Sequence, residues 1–191
     1  MGMGVFAQKT PNPPLPPDPG SVCNAITGNL VGNCGFETGD FTDWTQGGNL
    51  VFQEVQDFAA HSGNWGAYLG PVGSDGTLTQ TITDSAGTVD LDYWLANDDS
   101  GADAFSVQWD GTTIAGSVLN NAGSFGYSLY SFVLTSTGSD TLQFSFEQTP
   151  GFWELDDISV VQTPEPAGFL LLGTLVGLVG WRHRTRPKKA S

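Results

Sequence analysis

The sequence predicts an all-β chain folded as a jelly-roll β-sandwich, and three observations carry that expectation. Apolar and polar residues alternate with period two over short runs. The runs are separated by turn residues drawn from 26 glycines and many Asn, Asp, Ser and Thr. No apolar pattern with helical spacing is long enough to make a helix before Ala167. A charged fraction of only 14% fits an exported β domain better than a helical cytosolic enzyme.

The strand-like runs fall at residues 50–55, 66–69, 77–83, 89–95, 105–109, 113–118, 127–134, 141–147 and 153–161. In residues 89–95, Val89, Leu91, Tyr93 and Leu95 share one face while Asp90, Asp92 and Trp94 share the other. Leu142, Phe144 and Phe146 likewise oppose Thr141, Gln143, Ser145 and Glu147. One face is therefore core and the other wet, as in an antiparallel sheet. Asp110-Gly111 is a two-residue hairpin signal, since both residues tolerate positive φ, and Pro150-Gly151 marks the turn into the last strand. About nine short strands at this spacing make a sandwich of two sheets, with the jelly roll as the expected topology.

Three segments follow: residues 1–20, a β-sandwich domain at 21–162, and a tail at 163–191. The first holds Pro11, Pro13, Pro14, Pro16, Pro17 and Pro19 and reads as an extended spacer. Before it, Val5-Phe6-Ala7 has the small-residue pattern of a cleavage site, so this stretch is expected to be the remnant of a signal peptide whose start lies upstream. All 20 acidic residues lie at or before Glu165, and of the 6 Lys and Arg only Lys9 precedes Trp181. Such a body has nothing with which to neutralise phosphates, which excludes nucleic acid and anionic lipid as partners and favours divalent cations.

The tail carries an uncharged apolar run, Ala167 to Trp181, followed by Arg182, Arg184, Arg186, Lys188 and Lys189. At ~1.5 Å per residue this run spans roughly 22 Å, short of the ~30 Å hydrocarbon core. Trp181 and Arg182 extend its reach by interfacial anchoring and snorkelling. Pro164-Glu165-Pro166, a short hydrophobic helix and a terminal basic cluster, in that order, resemble the PEP-CTERM sorting signal of Gram-negative bacteria. The resemblance implies a single C-terminal hydrophobic helix held transiently in the inner membrane and processing by an exosortase. It also implies release to the cell surface or extracellular matrix, in a setting of exopolysaccharide and biofilm. The plain alternative is a simple C-terminal anchor. In an oxidising compartment Cys23 and Cys34, either side of Thr27-Gly28-Asn29, are expected to pair, closing a short loop worth about 2–3 kcal/mol; two free thiols are the alternative.

A second resemblance spans residues 33–161. Asn33-Cys-Gly-Phe-Glu37 near the start and Asp156-Asp157-Ile158 near the end resemble the opening and closing motifs of family 4 and family 9 type carbohydrate-binding modules, and Gly63-Asn-Trp-Gly-Ala-Tyr-Leu69 fits their middle. That likeness implies a structural calcium ion with Glu37 and Asp156 as ligands and Asp157 as the alternative, hard carboxylate oxygens being what Ca²⁺ prefers. The competing reading makes them ordinary solvated charges. Asn97-Asp98-Asp99 with Asp103 has oxygen side chains spaced as in a fragment of a calcium loop, but Gln108 stands where a closing Glu is needed, so a solvated acidic turn is expected.

Glycan binding needs aromatic rings on an exposed sheet face. Trp94, flanked on its face by Asp90 and Asp92, is the first candidate and Tyr127 the second, with a face covered by a loop as the competing reading for Trp94; Trp44, Trp109 and Trp153 read as packing. Catalysis is not expected. Glu154-Leu-Asp156 matches the start of a jelly-roll glycosidase motif, but Ser159 stands where the second glutamate belongs. His61 and Ser62, adjacent on a strand, would face opposite ways. The sequence thus points to a non-enzymatic exported surface or matrix protein, or to a lectin-like glycan-binding module with structural calcium.

Overall fold

The computed structural model describes residues 20–99 and 101–163. They form two antiparallel sheets packed face to face. Eleven strands are present in chain order: β1 (Thr45–Gly48), β2 (Gln53–Gln56), β3 (Gly66–Leu69), β4 (Gly76–Thr83), β5 (Gly87–Asn97), β6 (Ala102–Trp109), β7 (Thr112–Thr113), β8 (Leu119–Asn120), β9 (Phe125–Ser136), β10 (Ser139–Thr149) and β11 (Trp153–Gln162). One sheet has the order β1-β4-β10-β6-β7, with β8 also on β6; the other has the order β2-β3-β11-β5-β9. Among the described residues no helix is long and apolar enough to cross a membrane. Pro164, Glu165 and Pro166, the helix expected at Ala167 to Trp181 and the basic cluster after it lie outside the described residues, as does nearly all of the spacer.

The period-two pattern builds the core. Val89, Leu91, Tyr93 and Leu95 of β5 are fully buried and meet Leu142, Phe144 and Phe146 of β10 across the sandwich. The Tyr93 and Phe144 rings touch edge to face at 5.3 Å. Trp44, Trp109 and Trp153 are buried as read from their neighbours. Trp153 packs on Phe105 and donates its indole N–H to the Glu147 carbonyl at 3.1 Å.

Local conformation overrides the pattern in two places. The strand expected at 50–55 begins only at Gln53, because the Asn49 side chain accepts the Val51 N–H in a turn and Phe52 sits at φ 58. The strand expected at 113–118 ends at Thr113: Gly116 has φ 87, and Ser117 turns inward to bond the Val107 and Ile114 carbonyls. β1 and β8 are too short for a periodic signal. The acidic turn expected around Asn97 and Asp103 is solvated at Asp98 but not at its two ends. Asn97 and Asp103 are buried in strands, Asn97 donates to Asp103 at 3.0 Å and accepts from the Gln148 amide.

Residues 22–36 run beside the second half of β11. Leu30 N–H bonds the Val160 carbonyl and Ile158 N–H bonds the Cys34 carbonyl, both at 2.9 Å. Within this segment Cys23 and Cys34 form the expected disulfide, both sulfurs buried. The bridge pins the start of the domain against its last strand.

Candidate functional site

Strict alternation along β11 would send Asp156 and Asp157 to opposite faces of the sheet. A bulge between Asp156 and Ser159, with Asp157 at φ 48, breaks that alternation. Both carboxylates then serve one covering segment, residues 57–65, which crosses the outer face of the five-stranded sheet. Asp156 accepts the backbone N–H of His61 at 2.7 Å and of Ser62 at 3.1 Å. Asp157 lies 2.7 Å from His61 Nδ1 and accepts Ser62 Oγ at 2.6 Å, Ser21 Oγ at 3.1 Å and the Cys23 N–H at 3.2 Å. The strand expected to separate His61 from Ser62 is absent: they lie in a bend, and both side chains converge on Asp157.

Glu37 clamps the next part of the same segment, its carboxylate accepting the Asn64 N–H at 3.0 Å. Gly63, at φ +72, makes room for it; a Cβ there would lie 2.1 Å from Glu37 Oε1. Burial and the neighbouring Asp157 charge push the Asp156 carboxyl up to about 8, despite the N–H groups that bond it. The three carboxylates thus share one loop. The partners of Asp156 and Asp157 are N–H and O–H donors, and no group of three or more His, Cys, Asp or Glu side chains among the described residues is arranged to hold a metal ion. This donor set suits protons and hydrogen bonds.

The two aromatic candidates belong to the same covered region. Trp94 is half-buried and stacks on the His61 ring at 3.9 Å with planes 15° apart. Tyr127 packs edge-on to His61 and donates its hydroxyl to the Ala59 carbonyl. Burial, then the charges of Asp156, Glu154 and Asp157, raise the Tyr127 phenol well above its ordinary range. These rings hold the loop down.

The open aromatic surface lies nearer β2, on the same outer face. Phe58, Tyr68, Phe152 and Phe52 form a ladder: Phe58 meets Tyr68 edge-on at 5.0 Å, Tyr68 stacks on Phe152 at 3.8 Å with planes 10° apart, and Phe152 meets Phe52 edge-on at 6.0 Å. Phe58 is 64% exposed and Phe52 49%. Register places Tyr68 between Glu54 of β2 and Glu154 of β11, and its hydroxyl donates to Asp98 at 2.9 Å. Burial, then the bond and charge of Asp98 and the charges of Glu154 and Glu54, raise the Tyr68 phenol far above its usual range. Glu154 is raised in turn by burial and by Asp98. The surface pairs apolar ring faces with carboxylate acceptors. By contrast, a cleft of about 550 Å³ beside β1 and β4 is lined by Gly32, Asp43, Thr45, Thr79, Gln80 and Thr81 and contains no aromatic ring.

Sequence reasoning missed this ladder because its rings come from four separate segments. Only Tyr68 carried a local signal: Ala67 and Leu69 point inward, so Tyr68 must point out.

No protein-family model matches the chain, and no curated protein matches it in sequence. Its fold is that of a carbohydrate-binding-module-like jelly roll. TmCBM61, solved in complex with β-1,4-galactotriose, superposes with a TM-score of 0.55 at 21% identity, covering 71% of this chain and 99% of that one. The CBM22-1 xylan-binding domain from Paenibacillus barcinonensis Xyn10C superposes with a TM-score of 0.50 at 16% identity, covering 69% of this chain and 93% of that one.

Proposed function

We propose that this chain is a non-catalytic glycan-binding module, and that the Phe58–Tyr68–Phe152–Phe52 ladder is its platform. The observation that carries the reading is an aromatic cluster, exposed at Phe58 and Phe52, beside the Glu54 and Glu154 carboxylates on one sheet face. A sugar ring offers an apolar face to stack and hydroxyls to donate, and this surface answers both. The catalytic alternative is disfavoured because Asp156, the second acid of the Glu154-Leu-Asp156 stretch, is fully buried beneath His61 and Ser62, and Ser159 stands where the motif needs its second glutamate. With no Lys or Arg between Gly20 and Thr163, neutral or amine-bearing glycans are the matching class, and uronic-acid polymers are not.

Binding to a panel of soluble polysaccharides, measured by affinity electrophoresis and calorimetry, tests this. Tyr68→Ala and Phe152→Ala are each expected to weaken binding at least tenfold, about 1.4 kcal/mol. Loss in Trp94→Ala or Tyr127→Phe with the ladder variants unaffected would move the site to the covered cluster. Absence of saturable binding to any glycan would end the reading.

The setting we propose rests on the tail: an exported protein of a Gram-negative bacterium, sorted through Pro164-Glu165-Pro166 by an exosortase at the inner membrane and delivered to an exopolysaccharide matrix. Deleting residues 164–191 is expected to shift the protein between membrane, surface and medium fractions; an unchanged distribution refutes the sorting role. Structural calcium at Glu37, Asp156 and Asp157 is carried by the sequence resemblance alone.

A further inference from the structure

Among the described residues, the carboxylates beside the ladder have no positive partner. Register sets Glu54, Tyr68 and Glu154 side by side in one row across β2, β3 and β11, and alternation sends all three to the outer face. Asp98, just after β5, holds the ring pair from one end: it accepts the Tyr68 hydroxyl at 2.9 Å and the Phe152 N–H at 2.6 Å. Glu154 is only partly buried, and burial and the Asp98 charge raise its carboxyl with no hydrogen bond to lower it. No Lys or Arg lies between Gly20 and Thr163, and the one histidine of that stretch, His61, is engaged by Asp157 and Trp94. The fold therefore supplies this row with no counter-charge, and a ligand can.

The layout does not suit a single metal ion. Glu54 and Glu154 stand two strand spacings apart, roughly 10 Å, with Tyr68 between them. A calcium ion instead gathers six to eight oxygens at ~2.3–2.6 Å. Carboxylates set at strand intervals match positive charges repeated along a chain. The rings exposed at Phe58 and Phe52 match the apolar face of a sugar, and a cation held near a ring face is attracted to it as well. To Glu154 a sugar hydroxyl offers one donor and no charge, whereas an ammonium offers three donors and a full positive charge.

We infer that the ladder selects glycans whose sugars bear free amines, with Glu154 as the main ammonium seat and Glu54 and Asp98 flanking it, an assignment that rests on the ladder being the glycan platform. Charge chooses this occupant. A uronic-acid polymer is repelled by the row, and a neutral or N-acetylated polymer leaves Glu154 without a counter-ion.

Calorimetry of the full-length chain with an oligosaccharide of β-1,4-linked glucosamine, and with its N-acetylated counterpart of the same length, tests this at low and high salt. The amine form is expected to bind at least tenfold more tightly at low salt, the difference made by a hydrogen bond to a charged group. Salt is expected to narrow that margin by screening the exposed charges. Glu154→Gln keeps the volume, removes the charge and is expected to bring the two affinities close to parity; Glu54→Gln is expected to narrow the margin in the same direction. Asp90→Asn removes an equal charge from the same sheet face away from the ladder and is expected to leave the margin unchanged. Equal affinity for the two forms overturns the inference and leaves the platform standing. A margin that Asp90→Asn lowers as much as Glu154→Gln overturns it, since bulk charge then does the selecting. Spermine bound as tightly as the amine oligosaccharide overturns it as well, since the sugar rings then contribute nothing. Failure of both oligosaccharides to bind also overturns it; saturable binding of another polysaccharide at the ladder would then keep the platform, and binding of none would end both readings.

Discussion

Replacing Asp157 with alanine is expected to lower the stability of the domain by about 3–5 kcal/mol, the range seen when one side of a buried charged network is removed. Asp157 is 3% exposed and joins three separate parts of the chain. It takes Ser21 Oγ and the Cys23 N–H from the first turn, and His61 and Ser62 from the covering segment, all onto the bulge of β11. Alanine leaves each of those groups without this acceptor in a site largely closed to water. Asp157→Asn is the informative contrast. It keeps the volume but turns an NH₂ toward groups that are themselves donors, and a smaller loss of about 1–3 kcal/mol is expected. Urea unfolding of both variants measures this; a loss below about 1 kcal/mol for alanine would mean that the disulfide and strand pairing hold the segment without the hub. Reduction of Cys23–Cys34 acts on the same turn, so its effect and that of Asp157→Ala should not add.

Alternation made most of the sandwich legible. Where a strand has one dry and one wet face, as in β5 and β10, identity alone tells which side chains are buried, and the structure buries them. The disulfide was legible from two cysteines and an exported composition. What the chain hid is geometry set by positive-φ residues and by distance. Phe52 shortens β2 and Gly116 ends β7 through single backbone angles that no periodicity reports. The Asp157 bulge reverses the facing of one carboxylate and so creates the hub, whereas an unbroken strand would have separated the pair. Trp94 was placed on the face opposite the core, but that face is covered there by residues 57–65, a segment far away in sequence. The ladder needed four segments to meet, and only the register of β2, β3 and β11 brings Tyr68 between two glutamates.

Stability is expected to fall as pH rises from about 5 to 8, and Asp156 is the cause. Its carboxyl titrates near 3.8 when unperturbed and is pushed up to about 8 in the folded protein, by burial first and by the Asp157 charge second. An acid whose folded pKa lies above its unfolded value holds its proton more tightly when folded. Its contribution is therefore fully present below about pH 4 and is lost as pH climbs through about 8. At about 1.4 kcal/mol per pH unit, the loss between pH 5 and pH 8 is up to about 4 kcal/mol. The groups around it are Asp157, His61 and the Tyr127 phenol, which is itself held neutral by burial. Asp140 acts in the opposite sense and outside this window: burial raises it, but hydrogen bonds from Ser136 and Thr137 bring it down to about 2, so its contribution disappears only in strong acid. Asp156→Asn keeps acceptors for the His61 and Ser62 N–H groups and removes the titration, so its urea midpoint is expected to stay level from pH 5 to pH 8. A slope equal to that of the unaltered protein would assign the effect to another group. The same titration tests calcium, because a cation that replaces the proton gains where the proton is weakly held. Bound at Glu37, Asp156 and Asp157, calcium would raise the melting midpoint at pH 8 far more than at pH 5. A midpoint indifferent to calcium and chelator at both values would leave these carboxylates with one task, fastening residues 57–65 and the first disulfide-bonded turn to the last strand.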